Sequence, residues 1–212
     1  MRYIIMCGGN YSEWGTPRQL MEINGEKIIQ RTVRLLKENG IDPYITTNNP
    51  IFEQFAPVIY HDNEYFAHDG RIEQGRWNNA FYLSDDPTCY LFGDVVYSPE
   101  AIKTIVEYET KDIMFFASAP PFSEDYIKPY AEPFAFKVYD MEHLRNAIKK
   151  ENEIEEQGLF YRQPIAWELW QVISGAKPGY IDYNSYVQIN DYTCDVDRPR
   201  DLIKLTEVMQ WK

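Results

Sequence analysis

The 212-residue sequence is poor in cysteine and histidine and has no long apolar run. Its three cysteines, Cys7, Cys89 and Cys194, form no C-x-x-C pair, and their odd number predicts buried thiols in a reducing compartment. No apolar run approaches the roughly 20 residues of a membrane span. The run at residues 3–6 is too short for a signal peptide. We therefore expect a cytoplasmic protein.

Basic residues are also scarce. Lysine and arginine number 21 against 33 acidic residues, which gives a formal net charge of −12 at pH 7. A body this acidic repels phosphodiester backbones and anionic lipids, which argues against a general nucleic-acid or membrane-surface binder. A small anionic ligand in a local positive pocket remains compatible with this charge.

Several catalytic signatures are missing. The sequence has no Ser-His-Asp elbow and no Cys-His spacing, and the three histidines (His61, His68, His143) lack zinc-ligand spacing. It also has neither a G-x-G-x-x-G motif nor a Walker A loop. These absences favour chemistry that needs no protein nucleophile.

Short apolar runs alternate with amphipathic stretches along the first 120 residues. Strands are predicted at residues 2–7, 42–47, 57–60, 89–92, 112–117 and 134–138, and one or two further strands at 180–189. Helices are predicted at residues 28–38, 76–83, 98–108, 141–157, 164–174 and 200–209. Because such alternation implies βαβ units, we expect an α/β fold. Specifically, we expect a single three-layer, Rossmann-like domain with a mixed, mainly parallel central sheet.

The first candidate site is the glycine pair Gly8-Gly9 at the end of the first predicted strand. Paired glycines let the backbone approach a ligand closely and present N–H groups to an anion, although a tight β-turn gives the same pattern. Pro-Arg-x-Leu follows at residues 17–20, and Ile-Asn-Gly at 23–25 precedes a helix. These additions favour a ligand site over a plain turn.

This order of strand, glycine-rich loop, Pro-basic-x-Leu, Ile-x-Gly and helix resembles the GT-A-like nucleotidyltransferase superfamily, in its sugar-phosphate nucleotidyltransferase and cytidylyltransferase branch. The resemblance implies a nucleotide-binding half at residues 1–118, and an acceptor-binding half with a closing helix at 119–212. It also implies that Arg18 is catalytic and takes the place usually held by lysine. The implied nucleotide-binding residues are Cys7, Gly8, Gly9, Asn10, Arg18, Arg71 and Gly93. Residues 10–16 depart from the pattern, because they contain no basic residue and include Glu13.

Arg71 belongs to a second segment, residues 69–80, in which Arg76 stands behind it. This segment is similar to the part of cytidylyltransferases that recognises base and ribose, which implies that Arg71 contacts the nucleotide. A surface loop that leads into an exposed helix is the alternative.

Two distant aspartates are the predicted metal ligands. Asp94 follows a buried strand and Gly93, at the place where open parallel sheets bind ligands, and it resembles the metal-binding aspartate of the superfamily. Asp197 lies in a segment that resembles the one that carries the second metal ligand in CMP-sugar synthetases. Asp195, two residues earlier, is a candidate substitute ligand. The alternative role of Asp197 is to cap the closing helix. The expected cofactor is Mg²⁺, which commonly binds through one or two carboxylates and substrate phosphates.

Three further basic residues are candidates. Lys128 and Lys137 flank a stretch similar to the one where sugar nucleotidyltransferases place a lysine against the α-phosphate, which makes Lys128 a catalytic candidate. Lys137 and Arg162 are candidates for acceptor binding. The alternative is that they are ordinary surface residues beside core aromatics.

The resemblance implies a Mg²⁺-dependent nucleotidyltransferase that joins an NTP, with CTP favoured, to a small phosphorylated or carboxylated acceptor. That acceptor would be a precursor of surface polysaccharide or lipid. The alternatives are a GT-A glycosyltransferase with a metal motif at 195–197, and a non-catalytic nucleotide-binding homologue. The expected partners are the nucleotide and the acceptor, with no nucleic acid and no membrane. The tyrosines of the second half suit a homodimer face as well as an acceptor pocket.

Overall fold

The computed structural model describes residues 1–8, 15–61, 77–119 and 130–210. The strands in these ranges are β1 (Arg2–Met6), β2 (Glu22–Ile23), β3 (Glu26–Lys27), β4 (Tyr44–Thr47), β5 (Val58–Tyr60), β6 (Thr88–Phe92), β7 (Val95–Val96), β8 (Ile113–Ala117), β9 (Pro133–Val138), β10 (Val187–Gln188) and β11 (Cys194–Asp195). The helices are α1 (Ile28–Glu38), α2 (Pro99–Glu107), α3 (Met141–Glu156), α4 (Ala166–Ser174) and α5 (Pro199–Gln210). Within these ranges, no helix combines the length and the apolar character that crossing a membrane requires.

A seven-stranded mixed sheet organises the chain, with the strand order β10-β8-β9-β6-β1-β4-β5. The neighbouring strands are parallel except at β9, which pairs antiparallel with both β6 and β8. A strand from the predicted acceptor-binding half (119–212) therefore lies between two strands from the predicted nucleotide-binding half (1–118). The predicted α/β class with a mixed, mainly parallel sheet is confirmed.

Side chains of the sheet alternate between two apolar layers, because successive residues of a strand point to opposite faces. Ile5 and Leu91 belong to the layer that packs against α1 and α2. Ile4 and Tyr90 belong to the layer that packs against α3 and α4. Helices thus cover both faces of the sheet, as the three-layer prediction requires. The helix α5 packs instead on the small sheet formed by β7 and β11, where Leu205 meets further apolar residues.

Local signals place the best-predicted helices. The helix α1 has the predicted bounds, and its apolar residues at helical spacing are buried. At the start of α2 the Ser98 hydroxyl accepts the N–H of Ala101 at 2.8 Å, and Pro99 occupies the first helical position. The cap and the proline together fix the start of this helix.

Two predicted elements are wrong in part. The helix predicted at 76–83 is described from residue 77 onward, and there a 3₁₀ turn at Trp77–Ala80 replaces it, with the N–H of Phe81 donating to the carbonyl of Asn78 at 3.2 Å. Of the one or two strands predicted at 180–189, only β10 forms. The Asp182 side chain accepts the N–H of Asn184 at 2.9 Å, so a turn replaces extended backbone there.

All three cysteines are buried and free, as their number and spacing predicted. Burial raises the pKa of Cys89 to about 12 and that of Cys7 well above its usual range. These thiols therefore stay protonated at neutral pH and act as small apolar core residues.

Candidate active site

The end of β1 and the Gly93-Asp94 turn lie against each other, because β1 and β6 are parallel neighbours. The N–H of Gly93 donates to the carbonyl oxygen of Met6 at 3.0 Å. A Cβ at Gly93 would lie 2.5 Å from that oxygen and 2.6 Å from the Sγ of Cys7. Only glycine permits this approach. Asp94 therefore lies at the carboxyl edge of the sheet, which is also the edge at which Gly8 follows β1.

A two-stranded antiparallel sheet brings the C-terminal aspartates to the same edge. The strand β7 directly follows Asp94 and pairs with β11, so that Asp195 lies opposite Val95. The N–H of Val196 donates to the carbonyl of Asp94 at 2.9 Å. These bonds place Asp197 beside Asp94, although the two are far apart in the sequence.

The Arg18 guanidinium joins these two aspartates. Its Nη1 donates to Oδ1 of Asp197 at 2.7 Å, and its Nη2 lies 3.1 Å from Oδ2 of Asp94. The charge of Asp94 raises the pKa of Arg18 most, and Asp197 and Asp195 add to the effect against the opposing effect of burial. The Pro-Arg-x-Leu motif thus supplies a permanent cation to a corner rich in carboxylates.

Asp201 orders the start of the closing helix. Its Oδ2 accepts the N–H of Arg198 at 2.9 Å and the N–H of Asp197 at 3.2 Å, two backbone donors that precede Pro199. The side chain of Asp197 contacts Arg18. The capping role predicted as the alternative for Asp197 is compatible with that contact.

Glu132 also lies at this corner, although no sequence motif points to it. Ligand atoms of Glu132, Asp195 and Asp197 all lie within 4.8 Å of one another, and Asp195 is only 8% exposed. Glu132 directly precedes β9. Its position depends on the insertion of β9 between β6 and β8, for which the sequence carries no local signal.

The donor set at this corner fits a divalent cation. Carboxylate oxygens are the hard ligands that Mg²⁺ prefers. Asp94 and Asp197 converge on one positively charged group, the Arg18 guanidinium, so the fold already accommodates a positive charge between them. Asp195 and Glu132 bring further carboxylate oxygens close to Asp197.

The structure does not bring Lys137 to this corner. Lys137 pairs with Cys89 at the start of β6, whereas Asp94 follows the other end of that strand. Its Nζ donates to the carbonyls of Val106 at 3.0 Å and Tyr108 at 2.7 Å, and burial lowers its pKa. Lys137 thus binds the carbonyl groups at the end of α2.

Arg162 binds a carboxylate at the start of α4. Its Nε and Nη2 donate to the two oxygens of Glu168 at 2.9 Å and 3.3 Å, and Glu168 also accepts the N–H of Ile165 at 3.1 Å. This arrangement orders the first turn of the helix.

The remaining candidates divide between the described and undescribed parts of the chain. The N–H of Cys7 donates to Thr46, and the carbonyl of Cys7 accepts the hydroxyl of Thr47 at 2.9 Å. A Cβ at Gly8 would lie 3.3 Å from the Nε2 of His61. Four predicted site residues lie outside the described residues: Gly9, Asn10, Arg71 and Lys128.

The mixed sheet, with a glycine-aspartate turn beside the end of its first strand, is the α/β fold of nucleotidyltransferases. The resemblance to the sugar-phosphate nucleotidyltransferase and cytidylyltransferase branch is confirmed in the fold. No protein-family model matches the chain.

Three known proteins illustrate this likeness. A bifunctional IPC transferase and DIPP synthase from Thermococcus kodakarensis is 29% identical over 116 residues. The match covers 50% of this chain and 26% of that protein, so the matched segment spans about a quarter of the relative's length.

The other two are solved structures. A protein from Bacillus anthracis assigned as a glucose-1-phosphate thymidylyltransferase has a TM-score of 0.61 at 13% identity, over 98% of this chain and 94% of its own. The inositol-1-phosphate CTP transferase from T. maritima has a TM-score of 0.58 at 14% identity. The match covers 99% of this chain and 94% of that protein's chain. At these identities the likeness shows the fold.

Proposed function

We propose that the protein is a nucleotidyltransferase of the cytidylyltransferase type. The observation that carries this proposal is the position of Arg18, which lies between Asp94 and Asp197 at the carboxyl edge of the sheet. Catalysis of phosphoryl transfer consists of positioning the reactants and stabilising charge. A permanent cation beside paired carboxylates provides groups suited to both tasks.

Asp94 and Asp197 are the proposed ligands of Mg²⁺, with Asp195 or Glu132 as additional oxygen donors. When bound, the ion would offset the negative charge of the phosphate oxygens and help to orient them. The carboxylates are reachable from solvent, since the side chains of Asp94 and Asp197 are 23% and 44% exposed.

The chain's own residues bind and orient the nucleotide. Arg18 can donate two parallel N–H bonds to phosphate oxygens, which lysine cannot do. The backbone at Gly8 adjoins the same edge and can approach the phosphates closely. In the proposed reaction an acceptor oxygen attacks the α-phosphorus in line, the bond to the bridging oxygen breaks, and pyrophosphate leaves. No protein nucleophile takes part.

CTP and a phosphorylated acceptor are the favoured substrates. The structure from T. maritima is that of an inositol-1-phosphate CTP transferase, which supports this choice. The sequence relative, matched over 26% of its length, has an IPC transferase in its name. A phosphorylated polyol or sugar is therefore the first acceptor class to test. A role in making a precursor of surface polysaccharide or lipid is part of the same proposal.

The direct test is pyrophosphate release. The protein is incubated with Mg²⁺, each of the four nucleoside triphosphates, and a panel that includes inositol-1-phosphate, glucose-1-phosphate and a carboxylated sugar. We expect release with CTP and one phosphorylated acceptor, and a loss of about 100-fold or more in Asp94→Asn and in Asp197→Asn. Asp86→Asn is the matched control, since Asp86 pairs with Arg2 at the opposite end of β1.

Two outcomes would count against the proposal. Turnover that survives both aspartate substitutions would remove the metal assignment. Preferential binding of a nucleotide sugar over every free triphosphate would instead favour the glycosyltransferase alternative, with the motif at 195–197.

A further inference from the structure

The contacts of Arg18 occupy the two carboxylates that the proposed function assigns to the metal. Nη1 lies 2.7 Å from Asp197 and 3.4 Å from the carbonyl of Val196, and Nη2 lies 3.1 Å from Asp94. A positive charge this close to both ligands repels a divalent cation that approaches them. Arg18 and the cation therefore compete for the same negative charge.

The backbone around Arg18 is held from both sides. Pro17 and Gln19 are buried, and the N–H of Met21 donates to the carbonyl of Arg18 at 2.9 Å. The side chain of Arg18 is 26% exposed. A change of partner can therefore occur by rotation of the side chain, without movement of this backbone turn.

We propose that Arg18 is an internal counterion of the Asp94–Asp197 pair in the nucleotide-free protein, and that it exchanges these carboxylates for phosphate oxygens when cation and nucleotide bind. The inference rests on the proposed function, because that function makes the two aspartates metal ligands. As a consequence, the binding of the cation is coupled to the binding of the nucleotide. The cation binds weakly alone, and cation and nucleotide strengthen each other's binding reciprocally.

The chain offers a matched control for the loss of a bridging arginine. Arg34 joins Glu26 and Glu38 on the surface of α1, with Nε 2.8 Å from Glu26 and Nη1 2.8 Å from Glu38. Its geometry resembles that of Arg18, but neither of its partners is a proposed metal ligand. Arg34→Met therefore removes a similar charge and a similar bridge without touching the aspartate pair.

The experiment measures Mn²⁺ binding in the absence of nucleotide, by calorimetry or by electron paramagnetic resonance of free Mn²⁺. We expect Arg18→Met to bind Mn²⁺ about tenfold or more tightly than the unmodified protein, because a nearby positive charge has been removed. Arg34→Met should match the unmodified protein. Adding Asp94→Asn to Arg18→Met should abolish the gain. Mn²⁺ should also raise the Tm of Arg18→Met more than that of the unmodified protein.

Equal Mn²⁺ affinity in Arg18→Met and the unmodified protein, or an equal gain in Arg34→Met, would overturn the counterion role. Circular dichroism checks the fold of each variant. If Arg18→Met does not fold, Arg18→Lys replaces it, and we expect a smaller gain because a point charge cannot bridge both carboxylates.

Pyrophosphate release by the unmodified protein is measured in a separate assay. A gain in Mn²⁺ affinity without turnover on any acceptor would contradict the proposed function and leave the counterion role standing. Turnover by the unmodified protein, without a gain in the Mn²⁺ affinity of Arg18→Met, would support the proposed function and overturn the counterion role.

Discussion

Gly93 donates its backbone N–H to the carbonyl oxygen of Met6 at 3.0 Å, and a Cβ at Gly93 would lie 2.5 Å from that same oxygen. This contact ties the turn that carries Asp94 to the end of β1. The separation between the end of β1 and the turn that carries Asp94 is therefore set by backbone atoms, which side-chain rotation cannot change.

Replacing Gly93 with alanine should displace the turn. We expect Gly93→Ala to lower the free energy of unfolding by about 1–3 kcal/mol, as overpacked sites do, and to reduce turnover because Asp94 moves. Urea unfolding measures the first effect. Gly8→Ala is the comparison, since among the described residues its Cβ would meet the His61 side chain, at 3.3 Å, and should cost less. An equal or larger cost at Gly8 would show that the approach to Met6 is not limiting.

The hydrogen bonds that Asp201 accepts should support both stability and metal binding. We expect Asp201→Ala to lower the free energy of unfolding by about 1 kcal/mol, because the N–H groups of Asp197 and Arg198 lose their acceptor. The Mg²⁺ concentration for half-maximal activity should rise, because the N–H of Asp197 loses its partner at 3.2 Å. Asp201→Asn keeps an acceptor oxygen and should recover most of both losses. An asparagine variant as impaired as the alanine variant would contradict this role.

Sequence alone predicts the parts of the molecule that depend on local signals. The apolar spacing of α1 and the Ser98-Pro99 start of α2 are visible in a few neighbouring residues, and both helices form as predicted. The Gly93-Asp94 turn is recognisable for the same reason, because it directly follows a continuous apolar run.

The parts that sequence could not predict depend on distant pairing. The strands β7 and β11 have two residues each, too few for a periodic signal, so the approach of Asp197 to Asp94 was predicted by the family resemblance and not by the local pattern. Glu132 reaches the corner only because β9 inserts between β6 and β8. Residues 180–189 predict one or two strands, but a side-chain hydrogen bond of Asp182 forms a turn at their start and only β10 is extended.

Lys137 should behave as a structural residue. We expect Lys137→Met to lower the free energy of unfolding by about 1–2 kcal/mol, because the carbonyls of Val106 and Tyr108 lose their donor. The KM for the acceptor should stay within about twofold, since no binding energy is removed. Lys103→Met, on the exposed side of α2, is the control and should change neither quantity. A raised KM in Lys137→Met alone would return Lys137 to the acceptor site.

Tyr97 should make the protein sensitive to alkaline pH. Its hydroxyl is fully buried and donates to the carbonyl of Phe134, and burial raises its pKa well above the usual value near 10. The unfolded chain therefore loses this proton near pH 10 while the folded protein keeps it. The stabilising effect is complete below pH 10 and is lost as the pH rises further, by up to about 1.4 kcal/mol per pH unit.

Replacing Tyr97 with phenylalanine isolates this contribution. At pH 8 we expect Tyr97→Phe to be about 1–2 kcal/mol less stable, because a buried carbonyl loses its donor. Above pH 10 the difference should shrink, since the variant no longer has this group to titrate, although other buried tyrosines still do. Urea unfolding at pH 8, 10 and 11 measures it, with Tyr139→Phe as an exposed control that should follow the unmodified protein. Parallel stability curves for Tyr97→Phe and the unmodified protein would show that Tyr97 keeps no raised pKa in the fold.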